Sequence, residues 1–298
     1  MVSPAKAAAS FQEAPPKYSE GKRIVQVFLR RKLSLIGLII IFLLVMMAIF
    51  APLLAPYDPY ETDLASKLVP PSNEHWLGTD AVGRDTLSRI IYASRTSLLV
   101  GVGAVGLSTL IGQTLGLIAA YYGGWAFNII MRLIDSLMAL PMLILALVIA
   151  SVLGGGLKNV IIALGIGGIA GHCRMMCAQV MSLKENDYVL AGQTIGVSDL
   201  RMMIRHLWPN AFPPLLVMMT IGLGGTILAE AGLSFLGVGI SPPEAAWGSM
   251  ISDGYRFLLT NPLISIAPGV AIMLVVFGFN MLGDGLRDAL DPRLRGAV

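Results

Sequence analysis

Between Leu33 and Ala55 the only conventional polar residue is Ser34. A run of that length exceeds the ~7–15 residues of a signal-peptide core and reaches the ~20 needed to cross hydrocarbon. Arg30, Arg31 and Lys32 precede it as the basic end of a signal would, but the length favours an uncleaved first membrane helix. Comparable apolar stretches recur at about 95–120, 130–152, 158–178, 211–233 and 263–283. A chain in lipid must close its backbone hydrogen bonds internally, and segments of this length do so as helices. The expected fold is therefore all-α, a polytopic membrane protein of six transmembrane helices with both termini on one side. A composition of 55% hydrophobic and 13% charged residues fits the bilayer as solvent.

Basic residues choose the side. With the N-terminus in the cytoplasm, 15 of the 21 lysines and arginines fall on cytoplasmic segments, among them Arg132, Lys184, Arg201, Arg205 and Arg287. Six fall outside: Lys67, Arg84, Arg89, Arg95, Lys158 and Arg256. That asymmetry places both termini and a long loop, about 179–210, in the cytoplasm, and segments 56–94 and 234–262 outside. The expected organisation is a flexible cytoplasmic tail over 1–22, a first helix with its external segment over 23–94, and a five-helix core over 95–298. A net charge of +3 with no basic run beyond 30–32 gives no support to a nucleic-acid partner.

Small residues recur within the apolar stretches, as Gly112 with Gly116, Gly165 with Gly168, and Gly222 with Gly225. In lipid such residues let helix backbones approach, because packing rather than the hydrophobic effect drives association. Pro141 and Pro268 lie inside spans and predict kinks. Cys173 and Cys177, four apart on one helical face with only His172 near, fit packing thiols rather than a metal site.

The internal loop 183–210 reads as two short amphipathic helices. Tyr188, Ala191, Gly192 and Ile195 fall at i, i+3, i+4 and i+7 behind a capping Asp187; Gly196 breaks the pattern. Ser198 and Asp199 open a second helix with Leu200, Met203, Ile204 and Leu207 on one stripe, Arg201, Arg205 and His206 off it, and Pro209 as its stop. Such apolar faces pack either on the protein's own helix ends or in a groove of a soluble partner. Among charges near the bilayer, Glu230 is placed either to line a path between the helices or at the solvated external end. Arg132 and Asp135, at i and i+3, are spaced to pair, and Asp284 lies at an interface.

The loop sequence DYVLAGQTIGVSDLRMMIRHLWPN (187–210) resembles the EAA loop of ABC-importer permeases, with Gly196 and Pro209 at the signature glycine and proline positions. It departs from that signature at Leu190, Gly192 and Gln193, where Glu, Ala and Arg are usual, and Cys177 stands where the family commonly has Arg. HWLGTDAVGRDTLSRIIYASRTSL (75–98), MRLIDSLMALP (131–141), LSFLGVGISPPEAAWGSM (233–250) and LGDGLRDALDPR (282–293) are similar to the C-type permease subunit of dipeptide, oligopeptide and nickel importers. The resemblance, over about 24–295, implies the type I ABC importer permease fold and a homologous B-type permease partner. It also implies two ATPase subunits carrying ATP and Mg, and an extracytoplasmic solute-binding protein. The chain has no G-x-x-x-x-G-K-[ST] phosphate loop, so it is expected to hold no cofactor and to leave hydrolysis to those subunits.

By the same resemblance the ATPase-coupling residues are Tyr188, Ala191, Gly192, Ile195, Gly196, Leu200, Arg201, Ile204, Arg205 and Pro209. Those on the binding-protein side are Trp76, Asp80, Arg84, Asp85, Pro242, Pro243 and Trp247, although 56–94 also reads as a self-packed turn. A secondary transporter would need paired ionisable groups at mid-membrane, and Glu230 is the single candidate. An intramembrane enzyme would need a His or Cys cluster, and the only histidines are His75, His172 and His206. Peptides lead as substrate, with nickel, glutathione or another small solute as alternatives.

Overall fold

The computed structural model describes residues 20–290, and no β-strand occurs among them. Most of the expected tail lies outside the described residues; residues 20–22 already belong to helix α1 (Glu20–Arg30). Arg31, in extended conformation, separates α1 from α2 (Lys32–Ile49), which ends in the one-turn α3 (Ala51–Leu54). A long segment then leads to α4 (Thr86–Tyr122), α5 (Gly124–Met138), α6 (Met142–Leu153) and α7 (Leu157–Lys184). The loop helices are α8 (Asp187–Thr194) and α9 (Asp199–Arg201), followed by α10 (Trp208–Phe235), α11 (Trp247–Gly254) and α12 (Leu263–Leu290).

Five helices are long and apolar enough to cross a membrane, and a sixth span is formed if α5 and α6 are taken together. That pair corrects the expectation of one continuous helix over 130–152: the chain bends by 86° between them. Pro141 sits at the α6 N-cap, so a kink was legible there, and its missing N–H leaves the backbone free to turn fully. Pro268, near the start of α12, is carried inside an unbroken helix. A proline that early removes one bond near the helix end and leaves the later turns intact.

α4 is longer than its apolar stretch because Asp85 caps it, its side chain accepting from the Ser88 amide at 2.8 Å. Its packing against α7 is the most extensive in the molecule. A Cβ on Gly112 would lie 2.6 Å from the Ile169 carbonyl oxygen, and one on Gly116 would meet the Cys173 carbonyl and lie 3.0 Å from the Cys177 amide. The helices touch backbone to backbone along this line, and both buried thiols pack there. α12 closes the other side, packing on α2 and α10. A Cβ on Gly37 would come within 2.8 Å of the Gly278 carbonyl oxygen.

Asp135 pairs with Arg174 of α7 rather than with Arg132, which ties α5 to its neighbour across the bundle. The Asp284 carbonyl accepts from Arg31, whose guanidinium also binds Asp288, fixing the α1–α2 junction to the end of α12.

Candidate functional site

At one end of the bundle the loop helices dock through Met203 and Leu207 of the expected stripe together with Val189 and Met202, which lay off it. Val189 is fully buried, and with Met202, Met203 and Leu207 it joins Leu117, Ala120, Met176 and Val180 in one apolar cluster. Polar contacts fix the same register. Tyr121 donates to Asp199 at 2.8 Å, and Lys184 Nζ donates to the carbonyls of Ala120 and Tyr121 at 3.0 and 2.8 Å. Gly192 belongs to this inner face: a Cβ there would stand 2.5 Å from the Met202 methyl carbon.

Neither Asp187 nor Ser198 caps as expected. Asn186 and Ser198 hold the two N-cap positions without a side-chain cap bond, and Asp187 lies in the first turn of α8. Pro209 does not stop the second helix. It stands in the first turn of α10, and a π-helical stretch, Met202–Leu207, carries α9 into the span without a break. Pro209 lacks one N–H of the ladder, and the chain passes it directly after the π-helical turns without leaving the helix. Pro213 and Pro214 follow inside α10.

The expected coupling stripe therefore splits. Tyr188 (42%), Ile195 (80%), Leu200 (64%) and Ile204 (58%) are exposed, as are Ala191, Arg201, Arg205 and Pro209, and Leu190 (53%) joins them. Gly196, at φ +79°, makes the turn between α8 and α9 with open space around it. Val189 and Leu207 pin the loop from beneath, and its outward apolar surface is unpartnered in the isolated chain.

At the opposite end, four of the seven residues expected to face a binding protein are internal. Asp80 Oδ2 takes Arg84 Nε at 2.6 Å and lies 3.7 Å from Arg89 Nε, while its Oδ1 accepts the Val82 and Arg84 amides at 2.9 and 3.0 Å. Asp85, besides capping α4, meets His75 Nδ1 at 3.0 Å. Trp247 is fully buried and donates to the Ile90 carbonyl at 3.1 Å. These side chains build a self-packed cap over the start of α4. Trp76, 68% exposed, and Pro242 and Pro243 remain at the surface.

Pro242 lines a cavity of about 580 Å³ with Arg84, Asp253 and Arg256. Asp253 stands at its edge, where burial pushes its carboxyl above the ordinary aspartate range against the pull of Arg84 and Arg89.

Glu230 is enclosed. Its side chain is 0% exposed, Ser234 Oγ donates to its Oε1 at 2.6 Å, and the same hydroxyl accepts the Ile240 amide at 3.0 Å. Oε2 is buried with no partner among the described residues. The carboxylate thus faces its own helix and the loop that follows it, not an open surface.

Five helices long and apolar enough to span, with a bent pair that can make a sixth, carry a docked but outwardly apolar loop at one end and a charge-locked cap at the other, the layout of a polytopic membrane protein. The family described as binding-protein-dependent transport system inner membrane component matches residues 112–296, and the N-terminal TM domain of oligopeptide transport permease C matches residues 19–71. The chain belongs to this family of inner membrane transport components. It is 44% identical over 266 residues to a dipeptide transport system permease protein of Alkalihalophilus pseudofirmus, covering 89% of this chain and 88% of the relative. It is 43% identical over 297 residues to an oligopeptide transport system permease protein of Bacillus subtilis, covering 99% and 97%. A glutathione transport system permease protein of Pectobacterium atrosepticum is 38% identical over 271 residues, covering 90% and 89%. A chain of the inward-facing MetNI methionine ABC transporter superposes with a TM-score of 0.57 at 17% identity, covering 69% of this chain and 97% of that one. The fold is that of the type I ABC importer permeases.

Proposed function

We propose that this chain forms half of the translocation pathway of an ATP-driven importer for di- or oligopeptides. In this reading it pairs with a homologous B-type permease and receives solute from an extracytoplasmic solute-binding protein. Two cytoplasmic ATPase subunits bind ATP and Mg and contact the 187–209 loop. The observation that carries the coupling role is the exposed apolar surface of Tyr188, Ile195, Leu200 and Ile204 above a buried anchor of Val189, Met202 and Leu207. A firm base with an uncovered apolar face is what a helix-in-groove contact requires. The excess of basic residues on the loop side supports placing that face and both termini in the cytoplasm.

Closure of the ATPase dimer pushes α8 and α9, and the π-helical joint at Met202–Leu207 passes the movement into α10 without an intervening loop. The gate between the two permeases then opens to the outside. Peptide is the reading favoured by the dipeptide and oligopeptide relatives; glutathione, itself a small peptide, is the second, on the relative that transports it. Uptake of a labelled dipeptide into vesicles holding the full set of subunits tests this. Uptake should require both ATP and the binding protein, and ATP-independent uptake by the permeases alone would overturn it.

A further inference from the structure

α1 has two apolar faces and only one is covered. Ile24, Val27 and Phe28 turn inward, with the Phe28 ring against Gly285, and the Arg31–Asp288 ion pair clamps the end of the helix to α12. Val25 and Leu29, at i and i+4, stay 57% and 49% exposed. With Gly21 they floor a shallow groove of about 510 Å³ edged by Lys22, Gln26 and Arg30.

The position of this groove says what covers it. A single residue, Arg31, separates α1 from the first span, whose Leu33, Ile36 and Ile39 are themselves exposed for contact with hydrocarbon. The docking on α12 prevents α1 from swinging away from that level. Val25 and Leu29 therefore lie next to the basic end of the first span, beside Lys22, Arg30 and Lys32, none of which forms an ion pair among the described side chains. A helix with an apolar strip flanked by cations at the edge of a span is the pattern of an interfacial helix on an anionic surface.

We propose that α1 is a binding site for anionic phospholipid: Val25 and Leu29 enter the acyl boundary, and Lys22, Arg30 and Lys32 contact phosphate. The occupant is the bilayer itself rather than a partner subunit.

The test uses the full chain purified in mild detergent from vesicles of phosphatidylcholine and phosphatidylglycerol, with retained lipid measured by mass spectrometry. Phosphatidylglycerol should be enriched several-fold over its bulk fraction. The enrichment should fall to the bulk ratio in K22Q/R30Q, persist in the charge-conserving K22R/R30K, and persist in K67Q, a cation far from α1. A photoactivatable side chain at Gln26 should gain the mass of a phospholipid in native membranes. Absence of enrichment, enrichment retained in K22Q/R30Q, or a protein adduct at position 26 would each overturn the proposal.

Discussion

The Ser234 hydroxyl joins two things that sequence distance hides: it donates to Glu230 one helical turn back at 2.6 Å and accepts from the Ile240 amide beyond the end of α10 at 3.0 Å. One side chain thus ties a buried carboxylate to the loop that carries Pro242 and Pro243. Replacing Ser234 by Ala leaves both groups buried without this partner, at a cost of about 1–3 kcal/mol. The unfolding midpoint of the purified chain should drop, while the KM for uptake by folded complexes stays unchanged. A changed KM with an unchanged midpoint would instead place Glu230 on the substrate path.

Asp80 serves Arg84 and Arg89 together, with all three side chains nearly shut from solvent. Removing a buried partner strands the remaining charges, so Asp80→Ala should cost about 3–5 kcal/mol. Trp76→Ala, at the exposed surface, should leave stability within about 0.5 kcal/mol and weaken only capture of the binding protein. Thermal unfolding together with a binding-protein pull-down separates the two.

Gly196 turns the chain between α8 and α9 at φ +79°. A β-branched residue there costs about 1–3 kcal/mol of backbone strain, and nothing nearby would clash. Gly196→Val should leave the chain inserted in the membrane, as read by surface labelling, while uptake falls several-fold because the two loop helices no longer keep their relative angle.

Partial burial at the cavity edge holds the Asp253 carboxyl above its ordinary range, against the pull of Arg84 and Arg89. A raised pKa means that the folded state binds the proton more tightly, so this contribution to stability is present below the unfolded value. It is lost as pH rises through the folded one. Asp253→Asn should therefore stabilise the chain at neutral pH and make no difference in acid below pH ~3.9. Paired unfolding curves at the two pH values show whether the sign holds.

The spans and both loop helices were legible because apolar length and 3.6-residue spacing survive in a single sequence. The registers were legible only in part: Met203 and Leu207 lay on the expected stripe of the second loop helix, but Val189 lay off that of the first. In α8, only two turns long, Val189 with Gly192 is as good an i, i+3 pair as Tyr188 with Ala191, and only the neighbouring Met202, Leu117 and Met176 decide between them. Pro141 announced a bend but not its size, since the angle depends on what α7 offers α5, including the Arg174 partner for Asp135. Asp80, Arg84, Asp85 and Trp247 stood out as a motif, and a motif looks the same whether it faces a partner or locks a cap. The signal for the cap was the Asp–Arg spacing around Gly83, a glycine at φ +84° whose missing Cβ makes room for the Asp63 carbonyl.

In the proposed coupling role, the outer face of the 187–209 loop drives import through contact with an ATPase. Ile195→Asp with Leu200→Asp, both at exposed positions, should leave the unfolding midpoint of the isolated chain within a degree or so, since surface substitutions stay within about 0.5 kcal/mol. In the reconstituted complex the same pair should abolish ATP-dependent peptide uptake and release the ATPase subunits on size-exclusion chromatography. Full uptake with the ATPase still bound would rule that role out.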